Sequence, residues 1–144
     1  MIRQLSVKDA PQLQVINEKS LGYAITLEEC QKHLEAVLKN DDHILIGYTD
    51  EMPDLVIGYC HMQLYQTTYA PTVYNILGLA VLPDYQRRGI GGQLMRAIEE
   101  IAKKNNINYI RLNSGNSRKE AHAFYQHLGY KSDKIQKRFL KELR

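Results

Sequence analysis

Apolar and charged positions alternate most regularly after residue 90, where Ile90, Leu94, Ile98 and Ile101 recur at helical spacing and Arg96, Glu99, Glu100, Lys103 and Lys104 face elsewhere. That pattern predicts an amphipathic helix. Earlier in the chain, residues 2–7 read as a short strand and residues 9 to about 19 as a helix burying Leu13 and Ile16. A second helix starts near Thr26, which with Glu29 has the spacing of a capping box. It carries Leu27, Cys30, Leu34, Val37 and Leu38 as its stripe and stops at the turn 40–42. Residues 43–48 and 54–65 are strands joined through a hairpin connection at 49–53. A third apolar run, 73–82, ends at Pro83, which cannot continue a central strand. Residues 108–114 return to strand character, 118–128 form a helix closed by Gly129, and the remainder supplies a last strand or two. The order β-α-α-β-β-β-α-β-α-β implies an α/β domain with a mixed sheet.

The composition fits one domain over residues 1–144, since a chain of 144 residues with 44 % hydrophobic and 24 % charged positions can bury its own core. No stretch approaches twenty uncharged apolar residues, and the N-terminus lacks the apolar centre of a signal peptide, so a soluble, cytoplasmic protein without a membrane partner is expected. Cys30 and Cys60 have neither CxxC spacing nor a histidine pair at metal-ligand distance, which argues against a zinc site or disulfide framework and leaves no metal expected. A net charge of +3 is too mild for nucleic-acid binding. The cations at 131, 134, 137, 138, 141 and 144 read as a solvated surface.

Between the third strand and the amphipathic helix lies PDYQRRGIGGQL, with Arg87, Arg88, Gly89, Gly91 and Gly92 crowded into one turn. The first turn of a helix has unpaired N–H groups and the positive end of the dipole, and glycines let an anion approach the backbone. A pyrophosphate suits that junction. No lysine and hydroxyl pair follows the glycines, which rejects a P-loop. Leucine stands where the third glycine of GxGxxG belongs, and the preceding chain is a hairpin rather than the opening of a βαβ unit, so a dinucleotide fold is rejected as well.

The run Gln86, Arg87, Arg88, Gly89, Ile90, Gly91 resembles the (Q/R)xxGx(G/A) signature of the GNAT superfamily of acyl-CoA-dependent N-acetyltransferases. Residues 121–130, AHAFYQHLGY, are similar to its second signature, AxxFYxxxG(F/Y). The resemblance implies a mixed, mostly antiparallel central sheet flanked by helices, with strands splayed at the CoA site. It further implies acetyl-CoA as co-substrate, its phosphates held by the backbone of residues 87–92 with Arg87 or Arg88, and its pantetheine arm paired along Leu79, Ala80 and Val81. Gln86 and Ile90 belong to the same signature. Tyr125 matches the tyrosine that lies near the CoA sulfur in many relatives, and a phenol with a pKa near 10 stays protonated to serve the leaving thiolate.

The chain departs from the family twice. Many relatives carry an acidic residue, acting as base through water, at the position held here by Gly78. His61 and Tyr65 are the candidate replacements. The second signature often opens with asparagine where Arg118 stands, which leaves that pantetheine contact open. Specificity in the family comes from the first two helices and the loop before the third strand, residues 17–26 and 65–71 here, whose aromatic and hydroxyl groups suit a small polar amine. The basic tail would instead suit an anionic amine or an acidic protein, and the residues leave the two open. The resemblance implies as acceptor a primary amine of a small molecule or peptide, and a homodimer is compatible with it. The competing readings are a non-catalytic acyl-CoA-binding regulatory domain and a partner-binding module built on the basic tail.

Overall fold

In the computed structural model, which describes residues 1–51 and 55–144, the longest apolar runs pair as adjacent antiparallel strands inside a five-stranded sheet. The elements are β1 (Ile2–Gln4), α1 (Ala10–Ile16), α2 (Leu27–Leu38), β2 (His43–Thr49), β3 (Val56–Tyr65), β4 (Val73–Val81), α3 (Ile90–Lys104), β5 (Ile110–Leu112) and α4 (Lys119–His127). Strands β1 to β4 follow one another antiparallel in spatial order, and β5 lies parallel to β4. A parallel neighbour needs a crossover, which is the role of α3. The chain divides into two compact units, Met1–Leu112 with the sheet and α1 to α3, and Asn113–Arg144 with α4.

In the first unit α1 and α2 cover one face of the sheet, where Leu13, Ile16, Cys30 and Leu34 pack with Leu45, Tyr59 and Ala80. Strand alternation sends Ile46, Cys60, Met62 and Ile76 to the other face. There α3 buries Ile90, Leu94, Met95, Ile98 and Ala102, as the spacing of its apolar residues requires. A buried carboxylate anchors the start of α1. Asp9 accepts two hydrogen bonds from the Arg3 guanidinium at 2.9 and 2.8 Å and one from the Ser6 N–H at 2.8 Å. Burial pushes its pKa up, but Arg3 and Ser6 together outweigh burial and hold the carboxyl below its ordinary value. The expected cap of α2 is present, with Thr26 Oγ1 accepting from the Glu29 N–H at 3.1 Å.

Helix α1 does not run as one regular helix to residue 19. After Ile16 it loosens into a π-helical turn, Asn17–Leu21, a distortion that often marks a functional segment. The strands expected at 2–7 and 108–114 shorten to three residues each. The hairpin connection falls partly on residues 52–54, outside the described ones, while β2 and β3 pair antiparallel on either side of it.

In the second unit α4 ends as expected at Gly129, whose φ of 96° is left-handed. The Tyr130 N–H reaches the Tyr125 carbonyl at 3.0 Å and the Gly129 N–H that of Gln126 at 3.0 Å, the two bonds of a Schellman close. The last strand expected after it is absent, since residues 130–144 carry neither helix nor strand. Ile135, Phe139, Leu140 and Leu143 are all exposed there. Their spacing lacks the period of two of a half-buried strand, and the cations between them disfavour a pleated surface. No described helix is long and apolar enough to cross a membrane.

Candidate active site at the β4–α3 junction

Strand β4 changes character halfway along. Its parallel pairing with β5 ends at Ile76 opposite Leu112. Its register with β3 slips at the next residue: His61 pairs with Gly78 and Met62 with Ile76, leaving Leu77 as the extra residue of a bulge. Beyond the bulge, the Leu82 N–H donates to the Ile57 carbonyl of β3 at 2.9 Å. Alternation therefore turns the polar groups of Gly78 and Ala80 toward β3 and those of Leu79 and Val81 toward the opposite edge. The Val81 carbonyl confirms that direction, because it accepts from Ser20 Oγ at 2.8 Å and Gln86 Nε2 at 3.0 Å. Gln86 is thus a tie between the turn and the end of β4. Ala80, by the same alternation, belongs to the β3 ladder rather than to the open edge.

The turn between β4 and α3 is built around left-handed backbone. A 3-10 turn, Pro83–Tyr85, leads to Arg87 at φ 66° and Gly89 at φ 78°, the residue that caps α3. Gly89 suits that conformation without strain, whereas Arg87 adopts it at a cost. The first backbone bond of the helix runs from the Gln93 N–H to the Gly89 carbonyl at 3.1 Å. The N–H groups of Ile90, Gly91 and Gly92 in the first turn are therefore unpaired among the described residues. Arg88 lies over the Tyr85 ring at 5.1 Å and donates to the Asp84 carbonyl at 3.3 Å. Arg87 has no such tether among the described residues. Three donors, a dipole end and two cations can together hold a diphosphate.

Next to the open edge, on the face covered by α1 and α2, lies a cavity of about 170 Å³. The Tyr59 hydroxyl donates to Asn17 Oδ1 at 2.5 Å within it. That hydroxyl also stands over Gly78, where an added Cβ would come within 3.3 Å of it. A side chain at 78 would crowd the phenol, which would have to give by a few tenths of an ångström, so glycine leaves the hydroxyl where it stands. Burial pushes the Tyr59 phenol up to about 12, so it donates hydrogen bonds and does not serve as a base at neutral pH. His61 lines the same cavity, its Nε2 2.8 Å from His43 Nδ1, with one ring donating to the other. Burial first, then the neighbouring His43, lowers the His61 pKa to about 4. At neutral pH His61 is uncharged and a weaker base than an ordinary histidine. Tyr65, the other replacement considered for the base, is at the far end of β3 under the Arg111 guanidinium at 5.1 Å.

The structure thus gathers Leu79, Val81, Gln86, Arg87, Arg88, Gly89, Ile90, Gly91, Gly92 and His61 within the first unit. Arg118 and Tyr125 belong to the second, Arg118 capping α4 and Tyr125 near its end, its ring 5.1 Å edge-on to Phe124 and 6.1 Å from Tyr130. Asn17 opens residues 17–26, where the sequence places acceptor specificity, whereas Tyr59 carries no such signal. The two are 42 residues apart, and a tyrosine in an apolar strand gives no local sign of its partner.

Residues 9–130 match the acetyltransferase (GNAT) family. The chain belongs to the GNAT acetyltransferase family. An uncharacterized N-acetyltransferase of Bacillus subtilis (strain 168) is 27 % identical over 138 residues, covering 92 % of this chain and 90 % of that protein. Another, from Chlorobaculum tepidum, is 27 % identical over 133 residues, covering 90 % of this chain and 74 % of its own. Among solved structures, a GNAT family acetyltransferase of Staphylococcus aureus superposes with a TM-score of 0.80 at 25 % identity, covering 99 % of this chain and 98 % of the other. GNAT enzymes use acetyl-CoA as co-substrate. The residues present fit it: the unpaired first turn of α3 suits its diphosphate, and the outward N–H groups of Leu79 and Val81 suit an amide-bearing arm.

Proposed function

We propose that the protein transfers the acetyl group of acetyl-CoA directly to a primary amine of a small molecule or peptide, with residues 1–144 acting as a single acetyltransferase domain. The observation that carries this reading is the meeting of a glycine-lined helix start with a strand edge that no described strand pairs, at residues 77–92. The family match running across the boundary between the two units supports the single domain. Acetyl-CoA supplies the activated acyl group, a thioester. Arg87, Arg88 and the N–H groups of residues 90–92 bind its diphosphate, and Leu79 and Val81 orient the arm. Of the two outward carbonyls, that of Val81 is already engaged by Ser20 and Gln86, so pairing at this residue falls to its N–H. An N–H on this edge is also placed to polarise the thioester carbonyl. The phenol of Tyr125 provides the proton for the leaving thiolate, as its place in the second signature suggests.

Gly78 offers no carboxylate and His61 is held near 4, so neither of these two positions supplies a strong base. The amine then reaches the thioester as free base, having lost its proton to solvent. The test is acetyl-CoA consumption against a panel of primary amines, paired with Tyr125→Phe. The variant should lower kcat by roughly 10²–10⁴-fold with little change in KM for acetyl-CoA. An unchanged kcat would return Tyr125 to a packing role, and no turnover of any amine would leave an acyl-CoA-binding domain without chemistry.

A further inference from the structure

The cavity beside Gly78 differs from an ammonium-binding site in one chemical respect: no Asp, Glu, Lys or Arg lines it. Its walls are Leu13, Ile25, Leu34, Val37 and Leu45, and its polar groups gather at the end nearest β4. There the Tyr59 hydroxyl is spent on Asn17 Oδ1, while Asn17 Nδ2 has no partner among the described residues. Tyr59 and His61 are both uncharged at neutral pH, since burial pushes the first up to about 12 and the second down to about 4. Burial likewise raises Cys30 and keeps it a thiol. His33 stands exposed at the rim. The space of about 170 Å³ suits one six-membered ring with its substituent. Asn17 also opens the π-helical turn whose Ser20 is bonded to Val81, so the polar end of the cavity is tied to the strand edge assigned to the thioester arm.

An alkylamine meets this cavity badly. With a lysine-like pKa of 10.4 it is free base in only about one part in 2,500 at pH 7. Its ammonium form would enter an apolar space with no counter-charge, which is strongly disfavoured. An amine whose lone pair is delocalised into an aromatic ring is free base already, fills the apolar walls, and presents N–H donors to Asn17 Oδ1 and the Tyr59 oxygen. We propose that this cavity is the acceptor subsite and that its substrates are uncharged primary amines borne on a single apolar ring, of the arylamine class, rather than alkylammonium ions. The proposal rests on the acetyl-transfer reading above. The nitrogen lone pair forms the C–N bond to the acetyl carbon, and the C–S bonding pair leaves with sulfur. The amine then gives up one proton and the thiolate gains one, so amide and free thiol form with no other reactant.

The test compares aniline with cyclohexylamine, which have the same number of heavy atoms and opposite charge states at pH 7, using the full chain and acetyl-CoA and following thiol release. The expected kcat/KM favours aniline by at least about tenfold, against the intrinsic nucleophilicity of the two amines. Preference for cyclohexylamine or another alkylammonium would overturn the proposal while leaving acetyl transfer intact. Failure to turn over any amine while acetyl-CoA binds by calorimetry would overturn both, and failure to bind acetyl-CoA would remove the acetyl-transfer reading itself. Asn17→Asp, which puts a carboxylate at the polar end, should move the ratio toward cyclohexylamine by about tenfold or more with acetyl-CoA affinity unchanged. A ratio that stays where it was in the folded variant would overturn the proposal, and the unmodified protein's own ratio decides the matter if that variant does not fold.

Discussion

At the β4–α3 junction most of the polar groups on offer are backbone, and in the cavity beneath α1 and α2 they are side chains. The junction offers the N–H groups of residues 90–92 and the outward edge of Leu79 and Val81, with glycine at the cap because φ there is 78°. Its parts are contiguous in sequence and fixed by local geometry. The cavity joins Asn17 of the π-helical turn to Tyr59 of β3, and its His61 of β3 is bonded to His43 of β2. Nothing local fixes those pairs; sheet register and the packing of two helices do. A backbone site tolerates drift in side chains around it, whereas a site of paired side chains changes specificity with each substitution. That difference fits a junction whose residues 86–91 match a family signature beside a cavity whose lining has none.

The two regions should come apart under mutation. The largest expected effect is on stability: Asp9→Ala strands the Arg3 guanidinium and the Ser6 N–H at the foot of α1. It should cost about 3 kcal/mol, the low end for a broken buried pair, because the Arg3 side chain keeps 30 % of its surface in water. Denaturant unfolding measures this, and CoA affinity of the folded fraction should be unchanged, since the anchor is remote from the junction. Gly91→Glu should act the other way, leaving the unfolding midpoint nearly intact while weakening CoA binding by about 100-fold or more, the scale of like charges brought close at a protein surface. Undiminished affinity in calorimetry would take the diphosphate away from this turn.

The smallest effect is a pH dependence in the cavity. His61 binds a proton less tightly folded, near pH 4, than unfolded, near 6.5, so the unfolded chain takes up more protons between those values. Stability should therefore hold above about pH 6.5 and fall as pH drops toward 4, by about 2 kcal/mol after allowing for partial exposure. His61→Gln should flatten that slope. An equal slope in the variant would assign it to other groups.

The glycines and arginines of residues 86–92 reveal the junction in the sequence because the turn and helix start they form are local, and α3 is legible because its stripe has one period. The buried faces of α1 and α2 are visible for the same reason at Leu13, Ile16, Cys30 and Leu34. Tyr59 is not legible, since its partner is 42 residues away and its neighbours make it look like core. The bulge at Leu77, where β4 leaves β5, has only the adjacent Gly78 as its mark in the strand. The strand expected after residue 130 fails because apolar content without alternation is a weak signal, and a strand exists only through a ladder that sequence alone does not show.

The central claim is that the start of α3 holds a diphosphate. Calorimetric titration of the unmodified protein with CoA and, separately, with pantetheine, which lacks the diphosphate and nucleotide, tests it most directly. The expected result is CoA binding at least about 100-fold tighter, with the difference shrinking as salt rises. Equal affinity for the two ligands would contradict it.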